Sequence, residues 1–139
     1  MPRTRPGVLR SRGVPKVAWH DVPRVPGLDR RSQHAIGRIE VRTANDWARS
    51  GLWPGAVGEA LAAWRRIARV PRTRISLPCS CCGRHPRALL HEAPDRLPGP
   101  AAAALRRRLT PLDDEFQRRT VPDPHRPAAW PWWDRRLRP

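Results

Sequence analysis

Residues 54–69 read PGAVGEALAAWRRIAR, and this stretch decides the fold class. Pro54 and Gly55 open it, and Val57, Leu61, Trp64 and Ala68 then recur at intervals of four, three and four. That spacing puts one apolar stripe on an α-helix. Leu61 and Trp64 are therefore expected in a core. Arg65, Arg66 and Arg69 point away from it. Val70-Pro71 ends the helix, because proline disfavours helical backbone in the residue before it.

A second stripe lies downstream. From Ala101 onward, Leu105, Leu109, Leu112 and Phe116 repeat at four, three and four, forming an a/d seam. Pro111 falls inside it, which predicts a kink or two helices meeting at Thr110, an acceptable N-cap before proline. Asp113, Asp114 and Glu115 also suit a fresh helix start there. Asp114 with Arg118 and Glu115 with Arg119 form i,i+4 pairs with the acid first, and Asp113 and Asp114 read as neighbours on a helix surface. Between the stripes, Pro86 to Glu92 allows a helical turn or two with His85 at its start, broken by Pro94, Pro98 and Pro100.

Upstream the signal is mixed. Ile36, Ile39 and Val41 fit a short strand or a helix. Thr43 stands where an N-cap would, with Asp46 three residues on, so a short helix through Trp47 and Ala48 is expected to stop at Gly51. The segment from Thr43 to Val57 resembles a helix-turn-helix in its Thr-Ala opening, its turn glycine at Gly51 and the apolar residue after it. Trp47 stands where that family has a small residue. Two packed helices in a small α-domain give the same pattern by default, and plain packing is the expectation here.

The fold class is mainly α. The reading is a small helical domain of three to five short helices over residues 29–120, with a cysteine-rich turn able to hold zinc and proline-rich termini. A chain of 139 residues fits one domain. Residues 1–28 show proline or glycine every few positions and no helical or strand period, and read as a basic disordered tail. Residues 121–139 are rich in proline and tryptophan. Trp130, Trp132 and Trp133 carry large apolar areas that are costly to leave wet, so this segment is expected to pack on the helices. A stacking platform for bases or a docking segment for a protein partner is the alternative use of these indoles.

Charge is the strongest compositional signal. Lys and Arg number 28 against 12 Asp and Glu, for a net charge of +16. Lys16 is the only lysine, so the positive charge is nearly all guanidinium, the group that binds phosphate bidentately and stacks on bases. A GC-rich genome explains arginine in place of lysine. It does not explain the excess of base over acid. A nucleic-acid partner, RNA or DNA, is the physical expectation.

Residues 78–86 read PCSCCGRHP and hold all 3 cysteines. Cys79 and Cys82 are spaced so that two thiolates can reach one tetrahedral ion, and Gly83 lets the following backbone turn back toward the sulfurs. This resembles half of a zinc ribbon, or a zinc knuckle. The second Cys-x-x-Cys of a ribbon is missing, so His85 and His91 are the nearest remaining ligands, and Cys81 could replace either cysteine. The alternative is that the thiols are small buried side chains at a turn and His85 an N-cap. Arg65, Arg66, Arg69, Arg72 and Arg74 lead into the cluster, and Arg84 and Arg87 follow it. Together they form the candidate phosphate-binding surface.

Catalysis finds little support. There is no Gly-rich phosphate loop, no nucleophile-elbow serine and no His-Glu-x-x-His, so a non-enzyme is expected. No apolar run approaches the ~18 residues of a membrane span. The N-terminal charge precedes no apolar h-region, and clustered thiols suit a reducing compartment, so the expected location is cytoplasmic. An adaptor docking through the Leu105–Phe116 seam and the tryptophan-rich tail is the competing reading.

Overall fold

Asp29 starts the first helix. In this computed structural model, which describes residues 24–44, 52–69 and 85–137, its carboxylate accepts from the Ser32 N–H at 2.9 Å and the Ser32 hydroxyl at 2.6 Å. These bonds occupy a donor that the first helical turn leaves without an intrahelical partner. Helix α1 then runs Arg30–Ala44. Ser32, Ala35, Ile36, Ile39 and Glu40 are its buried residues, a helical period that settles the strand-or-helix ambiguity of this stretch. Thr43 does not open a helix. It lies in the last turn of α1, and its hydroxyl donates to the Ile39 carbonyl at 2.6 Å. The helix-turn-helix likeness loses its opening residue with it. The short helix expected through Trp47 lies outside the described residues. Just upstream of α1, Val25 is buried in the core, and Gln33 holds its backbone carbonyl at 2.7 Å.

Helix α2 spans Ala56–Arg69, with Val57, Leu61, Trp64 and Ala68 all buried and Arg65, Arg66 and Arg69 exposed. Its beginning has no local cap. Gly55 makes the entry turn at φ 85, and Glu40 of α1 supplies the acceptors. The Glu40 carboxylate takes the Gly55 N–H at 2.8 Å and the Val57 N–H at 3.0 Å. A carboxylate at a helix N-terminus also meets the positive end of the helix dipole. Burial pushes the Glu40 pKa upward, the two N–H donors pull it back, and nearby Glu59 adds a smaller push upward.

Helix α3 is Pro86–Glu92. His85 is its N-cap, with the ring Nδ1 accepting from the Arg87 N–H at 3.2 Å. A 3-10 turn, Ala93–Arg96, follows. Helix α4 then runs unbroken through Pro111, from Gly99 to Arg118. Where the sequence suggested a kink or two helices, the structure keeps one. Interior proline costs about 3 kcal/mol. Leu105, Leu109, Leu112 and Phe116 bury on both sides of it, each worth ~1.5–3 kcal/mol, so seam burial wins. Arg118 pairs with Glu115 rather than Asp114, and Arg119 pairs with Glu115 at 2.6 Å.

The last segment folds back on the helices. Val121–Pro122 (β1) pairs antiparallel with Arg136–Leu137 (β2), Val121 opposite Leu137, and a 3-10 turn at Trp132–Arg135 sits between them. Arg136 grips the end of α4. Its guanidinium donates to the Thr120 hydroxyl at 2.6 Å and to the carbonyls of Thr120 and Gln117 at 2.7 and 2.9 Å. The Gln117 carbonyl is one of the acceptors that the last turn of a helix leaves without an i+4 partner. Trp133 thereby enters the core and Trp132 packs against it. Helices α2, α3 and α4 and this segment meet at Trp64, which is fully buried. Among the described residues no helix is long and apolar enough to cross a membrane.

Candidate functional site

One buried polar cluster ties three helices to the C-terminal segment. Trp64 of α2 needs an acceptor for its indole N–H, as buried tryptophans do, and finds Asp113 Oδ1 of α4 at 3.0 Å. Arg87 of α3 binds the same carboxylate bidentately, Nε to Oδ1 and Nη2 to Oδ2, each at 2.9 Å. The Arg87 guanidinium also lies over the Trp133 ring, 4.9 Å from its centroid, and 5.8 Å from that of Trp132. Phe116, Trp132 and His85 surround Trp64 with ring centroids 4.8, 6.5 and 5.9 Å away. Arg87 Nη1 and Trp133 Nε1 are buried donors with no acceptor among the described residues.

This arrangement reassigns two residues. Arg87, grouped by sequence with the phosphate-binding arginines, is 8% exposed and bonded to Asp113. Its charge holds the core together and is not presented to solvent. Asp113, read as helix surface, takes three N–H donors. A signal existed: Asp113 directly follows the seam residue Leu112, and both Trp64 and Arg87 require an acceptor once buried. The other candidate arginines divide plainly. Arg65, Arg66 and Arg69 are exposed along α2. Arg72, Arg74 and Arg84 lie outside the described residues.

The candidate metal ligands divide in the same way. Cys79 and Cys82 lie outside the described residues, as does Cys81. His85 has its Nδ1 engaged by the Arg87 N–H, so only Nε2 remains to meet a metal. Burial holds the His85 pKa below the ordinary histidine value, opposed by nearby Asp134 and assisted by the Arg87 charge. His91 is exposed, with its ring 5.4 Å from Trp133. Among the described residues no group of three or more His, Cys, Asp or Glu side chains forms a metal site.

The tryptophans behave largely as packing predicts. Trp133 is 6% exposed and Trp132 half-buried, while Trp130 stays 43% exposed beneath the Arg126 guanidinium, 5.0 Å from the ring centroid. The Leu105–Phe116 seam is likewise spent on the core. Of the surfaces offered for protein docking, only Trp130 remains outside. Comparison of the chain with protein-family models, with curated proteins and with solved structures finds no match.

Proposed function

We propose that this protein binds nucleic acid, without catalysis, through arginine side chains that the fold leaves on its surface. The observation that carries the reading is the solvent face of α2. Arg65, Arg66 and Arg69 are exposed there, and none forms an ion pair with a described residue. The helix buries its apolar stripe without them, so folding does not account for them. Arg72, Arg74 and Arg84 extend the same basic run in sequence, and residues 1–23 add more base with Asp21 the only acid. Zinc held by Cys79, Cys82, His85 and His91 belongs to this reading as a structural clamp on the segment that joins α2 to α3.

Binding of this kind is dominated by counterion release. Fluorescence anisotropy with a labelled oligonucleotide should show affinity falling steeply between ~50 and ~200 mM salt, with little sequence preference. Replacing Arg65, Arg66 and Arg69 with alanine should weaken binding for every sequence tested. Each lost phosphate contact should flatten the log–log salt slope by about 0.9 on duplex DNA. Salt-insensitive affinity, or none at low salt, refutes the proposal.

A further inference from the structure

A second group of arginines, on α1 and outside the set that the sequence suggested, has a shaped place to put a ligand. Arg38 and Arg42 stand one helical turn apart on α1, both exposed, and neither pairs with any described residue. Spacing of i,i+4 puts them side by side, where like charges repel and destabilise a helix. Arg42 stands in the last turn of α1, where the negative end of the helix dipole offsets part of that repulsion, and no carboxylate of the described residues pairs with either arginine. Both line a cleft of about 310 Å³ between α1 and the segment that leads into α4. Ala35 and Ile39 of α1 and Leu97 and Pro98 opposite complete its apolar walls, and Arg96 stands at its edge. The cleft has one acid, Asp95, and that carboxylate is already paired with Arg106 at 3.4 Å. Arg31 continues the row, because intervals of seven and four return to the same helix edge. The row is about 16 Å long at 1.5 Å per residue.

We infer that this cleft holds a phosphate group, bridged by the Arg38 and Arg42 guanidiniums, and that the group is a phosphodiester of the nucleic acid proposed above. The inference rests on that reading for the source of the phosphate and on the cleft for its position. A phosphate between the two guanidiniums turns repulsion into two charge-assisted contacts, each able to be bidentate. The apolar walls suit the sugar or base flanking it. The α2 arginines supply diffuse attraction, whereas Arg38 and Arg42 fix where the backbone lies.

The test uses the full chain and three variants: the double variant R38A/R42A, the single R42A, and R107A, an exposed arginine of α4 that does not line the cleft. Thermal melts come first. R38A/R42A should melt close to the parent, since it removes a repulsive pair together with one favourable charge at the helix C-terminus. Oligonucleotide anisotropy at low salt should then show R38A/R42A at least tenfold weaker, R42A intermediate and R107A within twofold. If the parent binds and R38A/R42A stays within twofold of it, the cleft is overturned and the general reading survives. If the parent binds no oligonucleotide, the general reading fails, and inorganic phosphate decides the cleft. Saturable shifts of the Arg38 and Arg42 Nε–H resonances at millimolar phosphate assign it to free phosphate. Their absence overturns it.

Discussion

Replacing Asp113 with alanine should be among the most destabilising single changes in this protein. The side chain is 16% exposed and its partner Arg87 10%. Its loss strands a buried guanidinium without a counter-charge and a buried Trp64 N–H without an acceptor. Removing one partner of a buried ion pair costs about 3–5 kcal/mol. An orphaned N–H costs about 1–3 kcal/mol, though the two losses share one carboxylate and do not add in full. Residual exposure lets some water reach the site, which favours the lower half of the range, so about 3–5 kcal/mol in total is expected. Set against a whole-domain stability of about 5–15 kcal/mol, that is a large fraction. Urea unfolding followed by tryptophan fluorescence reads it directly. With m of about 1–3 kcal/mol/M, the midpoint should fall by more than ~1 M. Asp114→Ala, one residue along and exposed, should change stability by less than ~0.5 kcal/mol. A double replacement, Arg87→Met with Asp113→Leu, should recover most of the loss, because it removes both charges together. If D113A and D114A unfold alike, the cluster does not do what the geometry says.

Three further outcomes follow from the same structure. The unfolded chain protonates His85 near the ordinary value of 6.5, whereas the folded protein resists to lower pH. Stability from this group is thus complete above that value and is lost as pH falls toward the lowered one, a slope that His85→Asn should abolish in pH-dependent melts. The raised pKa of Glu40 gives the opposite sign. Folded protein holds that proton more tightly, so the contribution declines as pH rises from the unfolded value toward the folded one. Glu40→Ala should cost about 1–3 kcal/mol, because the Gly55 and Val57 donors lose their acceptors, and native-state hydrogen exchange should quicken at Val57. For the proposed zinc clamp, protein purified without chelator should carry about one zinc per chain, the stoichiometry of a closed four-ligand site. Cys82→Ser should abolish it. Metal-free, folded protein with three titratable thiols ends the clamp proposal.

Helix periods were legible because they are local. The stripe through Val57, Leu61, Trp64 and Ala68 and the seam from Leu105 to Phe116 repeat within one element, so neighbours a turn apart reveal the buried face. His85 before Pro86 likewise announces a helix start within three residues. The Arg65, Arg66 and Arg69 face was legible for the same reason, being whatever the stripe does not use. Thr43 was misplaced because a hydroxyl that caps one helix can equally bond back into another, and only the extent of α1 chooses between them.

Tertiary structure alone decided which distant partners Glu40, Arg87 and Trp64 find. Glu40 caps a helix 15 and 17 residues away, Arg87 meets Asp113 across 26 residues, and Trp64 reaches the same carboxylate across 49. No period connects such positions. Each pairing exists because burial removes water from a donor or acceptor and the nearest complementary group must replace it. The sequence by itself determined a basic, mainly helical protein and most of its buried faces. Which arginine stays in water and which becomes part of the core depended on three helices meeting at Trp64.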